Sequence, residues 1–153
     1  MTLPATGPIS MAQVATELGI SQTGLSLNTT LVRQLAGVLS GAISMENLLG
    51  KAASFTGNVA TTQVQQFLIA GNPNAPFFSG TLAQIGLRTN AGTQVQVETL
   101  PVSFWTSNIA LINNTTGVSM TLPYLGSGVW GTPDTTGGRI IRNNANDNFT
   151  IEI

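Results

Sequence analysis

Cysteine and histidine are both missing from this chain, and charge is scarce, at 7% of 153 residues with a formal net charge of −1. Without cysteine there is no disulfide, no thiol nucleophile and no thiolate metal site. Without histidine the commonest general base and nitrogen ligand are gone too. The acids Glu17, Glu46, Glu98, Asp134, Asp147 and Glu152 stand singly in sequence. No Gly-x-x-x-x-Gly-Lys phosphate loop and no Gly-x-Ser-x-Gly elbow is written in the chain. The reading is therefore of a protein that is not an enzyme and needs no cofactor or metal.

The bases Arg33, Lys51, Arg88, Arg139 and Arg142 are scattered except for the last pair. Phosphate backbones are bound by clustered cations, so no nucleic-acid partner is expected. The first cation is Arg33, which leaves no basic region ahead of an apolar one, and no apolar run approaches the roughly 20 residues that span a bilayer. Signal-directed secretion and membrane insertion are accordingly not expected. A typical soluble domain is about 25% charged. A chain this neutral must cover its exterior with Asn, Thr, Ser, Gln and Gly or with neighbouring protein, which favours life inside an assembly.

Two folding acids and one turn acid invite chemistry. Glu98 and Asp134 form a glycosidase pair if folding brings them together, against the plainer reading of solvated or turn acids. Asp147, in Asn146-Asp147-Asn148, has oxygen-ligand character for Ca²⁺, against a simple strand-connecting turn.

What the chain does have, in its first third, is a phrase written twice: Gly7-Pro8-Ile9-Ser10-Met11 and Gly41-Ala42-Ile43-Ser44-Met45. Each serine is placed to cap a helix. Gln13 completes a capping box with Ser10, Ile9 staples onto Val14, and Ile43 and Leu48 repeat that spacing around Ser44, with Asn47 a weaker box partner. A variant copy uses Asn28 as cap. Gly19, Gly37 and Gly50 supply the left-handed stops. Three short helices are predicted, over 11–18, 29–36 and 45–49. Helices under about 12–15 residues are marginal alone, so they must pack on each other or on something larger. The residues expected to dock are Ile9, Met11, Val14, Leu18, Leu31, Leu35, Ile43, Leu48 and Leu49, with a small private core as the competing reading for any one of them.

After Lys51 the texture becomes β: Val, Ile, Phe and Thr runs between Gly, Asn and Pro clusters. Strands are predicted near 53–57, 63–70, 82–88, 94–99, 102–105, 108–113, 118–122, 138–142 and 148–153. Turns are predicted at Gly71-Asn72-Pro73-Asn74, Asn90-Ala91-Gly92 and Asn113–Gly117, and a long loop at 126–138. The fold class is mainly β with a small α-helical N-terminal module, the β part an antiparallel sandwich or jelly-roll-like domain. The division falls at 1–51, a helical docking module, and 52–153, the β domain. Trp105, Tyr124 and Trp130 are the candidate surface contacts, since aromatic faces anchor interfaces and stack on sugars. Core packing competes, most directly for Trp130.

The phrase Leu3–Met11, then Glu17-Leu18-Gly19, Leu35-Ala36-Gly37 and Gly41–Ser44, resembles a leader found on bacteriophage tail, fibre and other virion proteins. A second stretch, Ile109–Asn113, Val118–Pro123, Gly138–Asn143 and Asn148–Ile151, is similar to a β-rich unit of phage fibres. The resemblance implies a structural component of the virion: a tail, baseplate, collar or short-fibre protein docked through residues 1–51 and assembled through its β domain. The alternatives are a capsid decoration or head-fibre protein, and a glycan-binding adhesin module using Trp130 and Tyr124. Implied partners are other virion proteins and further copies of the chain, by analogy as a trimer, with host surface glycan under the adhesin reading.

Overall fold

The computed structural model describes residues 2–90 and 92–153, so the predicted turn at Asn90-Ala91-Gly92 includes one residue, Ala91, outside the described set. Two α-helices open the chain, α1 over Met11–Leu18 and α2 over Thr30–Ala36, and a 3₁₀ turn follows at Met45–Leu48. The strands are β1 (Phe55–Gln65), β2 (Leu68–Gly71), β3 (Ala75–Phe77), β4 (Gly80–Arg88) and β5 (Gln94–Thr99). They continue as β6 (Ile109–Asn113), β7 (Val118–Leu122), β8 (Tyr124–Gly126), β9 (Val129–Pro133) and β10 (Ala145–Glu152).

Helix limits follow the caps. Ser10 is extended at φ −103°, and its Oγ accepts the Gln13 N–H at 3.3 Å while Gln13 Oε1 accepts the Ser10 N–H at 2.8 Å. Gly19 and Gly37 end the helices in the left-handed region. The second helix starts one residue later than predicted. Thr29 is its cap, and the Asn28 side chain instead accepts from Arg33 Nη2 at 2.7 Å. The same guanidinium donates to the carbonyls of Val38 and Gly41, tying down the connector to the 3₁₀ turn.

The strands form one antiparallel sheet in the order β7-β6-β10-β1-β2-β4-β5-β9-β8, with β3 beside β4. β1 serves both halves: residues 55–61 pair with β10, and 62–65 with β2. At the other end β7 runs through Pro123 straight into β8, and the Gly131 N–H of β9 donates to the Pro123 carbonyl at 3.0 Å. The two ends of the strand order are thus consecutive in sequence, and the sheet is nearly closed and barrel-like.

Strand alternation fills the interior. Val95 and Val97 point inward with Phe149, Ile151, Leu111 and Ile109, while Gln94, Gln96 and Thr150 face outward. Ile153, at the end of the strand predicted near 148–153, lies past the last ladder pair and is exposed. On the outer surface of β1 and β10, Asn58 Oδ1 accepts from Asn148 Nδ2 at 2.8 Å, and Thr56 bonds Thr150 at 3.0 Å. Hydroxyls and amides thus supply the polarity that charge does not.

The composition boundary near residue 51 coincides with the change from helices to strands, yet the core runs across it. Leu3, Val14, Leu18, Val32, Leu35 and Leu48 belong to the same buried cluster as Val59, Phe77, Phe78, Leu82 and Trp130. Hydrogen bonds join the parts as well: Ala53 N–H donates to the buried Glu17 carboxylate at 2.8 Å, and Gln34 Nε2 to Phe104 O at 3.2 Å.

Two predicted strands are absent, for one reason. Over 102–105 the backbone donors are taken by hydroxyls: Ser103 N–H by Thr99 Oγ1, Phe104 N–H by Ser79 Oγ, Trp105 N–H by Ser103 Oγ. Over 138–142, Gly138 N–H goes to Asp134, Ile140 N–H to Thr136 Oγ1, and the carbonyls of Arg139, Ile140 and Arg142 to Thr116, Asn113 and Thr61. Side-chain bonds, some local and some from residues distant in sequence, satisfy the backbone without a ladder. Conversely β9 lies inside the predicted 126–138 loop. Gly131 makes this possible, because a Cβ there would stand 2.9 Å from the Val95 carbonyl.

Candidate docking site

The two Gly-x-Ile-Ser-Met copies meet in space. Residues at the start of the chain run antiparallel to those after the 3₁₀ turn: Leu3 N–H donates to Lys51 O and Gly50 N–H to Pro4 O, each at 2.9 Å, beside a Thr2–Ala52 bridge. The first copy is thereby laid against the second. Both enter through a left-handed glycine, Gly7 at φ +86° and Gly41 at φ +80°, a conformation that costs glycine nothing. Both then extend through a serine cap. Asn47 Oδ1 accepts the Ser44 N–H at 2.9 Å, the same return bond that Gln13 makes to Ser10. Asn47 was the weaker partner on sequence, but the tight 3₁₀ turn brings its shorter side chain within reach.

Between the copies lies an open cleft of about 310 Å³, lined by Gly7, Pro8 and Ile9 on one side and Met45, Glu46 and Leu49 on the other. Its lining side chains are apolar apart from Glu46, and polar groups make up the smaller share of the exposed wall.

The predicted docking residues divide into three groups. Val14, Leu18, Leu35 and Leu48 are buried in the protein's own core, so as docking residues they are corrected: the helices are short, and the sheet beneath them takes their apolar stripe. Met11, Leu31 and Ile43 are half-buried and pack on that core from outside. Ile9 and Leu49 are half-buried and line the cleft.

The aromatic contacts also need correction. Trp130 is fully buried in β9, its Nε1 donating to Ser107 O at 2.8 Å and its ring edge-on to Phe77 at 6.0 Å. A flanking pair of glycines suggested a loop, but the indole is a core residue. Tyr124 is half-buried, tilted against Trp130 at 5.2 Å, and its Oη accepts the Gly128 N–H. Trp105 is half-buried and stacked on Phe78 at 5.2 Å. No pair of these rings forms an open sugar platform. Sequence reasoning missed instead the exposed apolar set Leu100, Val102, Phe104 and Leu125. The run Leu100-Pro101-Val102, without polar alternation, was its signal. The loop carrying the first three lies against the β8–β9 turn, where a Cβ on Gly128 would stand 3.3 Å from Val102 Cα.

The acids do not converge. Glu98 pairs with Val129, whereas Asp134 follows Pro133, the partner of Gln94. Five strand steps separate them by roughly 16 Å, beyond the roughly 5–9.5 Å that glycoside hydrolysis uses. Asp134 is also occupied: Thr136 N–H and Oγ1–H donate to Oδ1 at 2.7 and 2.6 Å, and Gly138 N–H to Oδ2 at 2.6 Å. Burial works against its ionisation, but the Thr136 and Gly138 bonds outweigh that and hold its carboxyl below the ordinary value.

Asp147 lies in β10 and not in a turn, buried, with Arg142 bonded to both oxygens and Asn113 Nδ2 donating at 2.8 Å. Hydrogen bonding from Arg142 is the largest influence on this carboxyl, burial opposes it, and Asn113 and the Arg142 charge add to it, so its pKa too is lowered. With both oxygens engaged, the Ca²⁺ reading is lost. Among the described residues no group of three acids, histidines or cysteines gathers to hold a metal. No protein-family model, curated protein or solved structure matches this chain.

Proposed function

We propose that the protein is a non-enzymatic structural component of a bacteriophage particle, of tail, baseplate, collar or short-fibre type, attached through the cleft between its two Gly-x-Ile-Ser-Met copies. The observation that carries this reading is the cleft itself. The one phrase that the chain repeats is folded so that both copies line the same open, apolar depression. A complementary apolar segment from a neighbouring virion protein would bury Ile9, Met45 and Leu49 at roughly 25 cal/mol per Å² before ordering costs. Many copies on one particle would turn that modest gain into firm attachment.

The nearly closed sheet serves as a sandwich-like or jelly-roll-like body. Support comes from β1, which passes from one half of the sheet to the other, and from β7 and β8, which do the same through Pro123. The separation of Glu98 from Asp134 supports the non-enzymatic part. The adhesin reading has lost its chosen platform with the burial of Trp130.

Immunogold labelling of intact particles tests the proposal. Label at tail, collar or baseplate is the expected result. Label over the head would replace it with a capsid decoration or head-fibre role, and particles that carry no label would overturn it.

A further inference from the structure

The β1–β2 hairpin leaves the barrel with one edge uncovered. β10 accompanies β1 only as far as Thr61, opposite Ala145, and from Thr62 onward β1 has β2 on one side and no ladder partner among the described strands on the other. Residues 62–67 are all exposed, including Val64 at 54% and Phe67 at 49%. A bulge between Gln63 and Gln65 frees Val64 from the β2 register.

Proteins normally guard such an edge with lysine, proline or a covering segment, because its unpaired N–H and C=O groups are a template for another strand. This edge carries only the bulge. No charged residue occurs between Lys51 and Arg88, and the hairpin contains no proline. Arg88 lies across β2, opposite Leu68, and its Nε donates to Gln96 at 2.5 Å. Arg142, beside the base of the hairpin, is paired with Asp147. An approaching strand therefore meets open backbone and the side chains of Thr62, Gln63, Val64 and Gln65.

We propose that this open edge, residues 62–65, pairs antiparallel with the same edge of a second copy of the chain. Neutrality selects the occupant. Two identical edges about a twofold axis must tolerate their own side chains face to face, which any charge would prevent and which Thr, Gln and Val allow. A foreign peptide would be recognised by side-chain pockets beside the edge, and the clefts beside Arg88 and Pro133, Ile9 and Leu49, Phe55 and Pro76, and Leu18 and Glu152 contain none of residues 62–67. The pairing is short, so two free copies associate weakly, and copies held close together on one particle would associate more firmly. It goes beyond the proposed attachment by adding a contact between copies, and it is independent of the attachment cleft, so the two fail separately.

Sedimentation of the full chain over a concentration series tests it. The wild type should self-associate. Val64→Lys and Val64→Glu should each weaken association at least about tenfold through like charges brought together, while a one-to-one mixture of the two restores it. Far-UV circular dichroism and the melting midpoint should match wild type, since the side chain contributes nothing to the core. A wild type that stays monomeric to about 1 mM, variants that associate as wild type does, or a mixture that stays monomeric would each overturn the proposal.

Discussion

The segment from Asp134 to Asn144 and the hairpin from Thr62 to Phe67 are both polar excursions from the same sheet, and neither contains a regular strand pair of its own beyond the bulged hairpin ladder. The first is drawn into the molecule. Asp134, Thr136, Thr116, Asn113, Thr61 and Asp147 bond its backbone or side chains, and Ile140 and Ile141 sit in the core. The second puts no side chain into it: Gln63 Nε2 donates to Gln66 O within the hairpin, and its tie to the rest of the sheet beyond β2 is the Phe67 carbonyl, which accepts the Thr89 N–H at 2.9 Å. Two isoleucines decide the difference. A loop that carries apolar side chains inward must have its buried backbone satisfied, and short polar side chains supply that here. A hairpin without an inward anchor keeps its donors for water or for another chain.

The comparison breaks first at Ile140. Replacing it by alanine should cost about 2–5 kcal/mol in urea unfolding; a loss below about 1 kcal/mol would mean that the segment is an accessory and not part of the core. Asp147→Ala comes next. It removes the Arg142 pair and one of the two bonds that the buried Asn113 Nδ2 donates, the one to the Ile140 carbonyl remaining, and should cost about 1–3 kcal/mol, with exchange protection lost first over 139–147.

Acid sharpens the same contrast. Both Asp134 and Asp147 have folded pKa values below the ordinary 3.8, so below that pH the unfolded chain binds more protons than the folded one. Their contribution to stability is complete above the unfolded value and drains away as pH falls through the folded ones. Urea midpoints should hold level above about pH 5 and then decline. Asp147→Asn should flatten that decline, and an unchanged slope would contradict the assignment. The smallest effect belongs to the free hairpin: Phe67→Ala should shift stability by no more than about 0.5 kcal/mol.

Legibility followed where the physical signal was local. The limits of α1 were readable because Ser10, Gln13 and Gly19 write start and stop within one short segment. Val95 and Val97 announced β5 by alternation, as Phe149 and Ile151 announced β10. The break between β1 and β2 was not readable, since the turn at Gln66-Phe67 uses neither Gly, Asn nor Pro, and the sequence runs on as one strand over 63–70. The segments at 102–105 and 138–142 misled for a deeper reason. Their apolar residues are strand-like, but nearby side chains such as Thr99, Asp134 and Thr136, together with distant ones such as Ser79, Asn113 and Thr61, claim their backbone.

The candidate site was half legible. The repeated phrase marked the region, yet only folding shows that Ile9 and Leu49 face a cleft while Val14, Leu18, Leu35 and Leu48 turn inward. Amphipathic spacing says that a face is apolar, not whether its cover comes from the same chain. Trp130 failed similarly, because flanking glycines describe a loop as well as a strand that another strand approaches closely.

The most direct measurement is incorporation of a Leu49→Asp variant into particles in competition with the wild-type chain. Leu49 is half-buried on the cleft wall and outside the core cluster, so the variant should keep its melting midpoint. The account predicts near-complete exclusion of the folded variant from particles. Incorporation at the wild-type ratio would contradict attachment through the cleft.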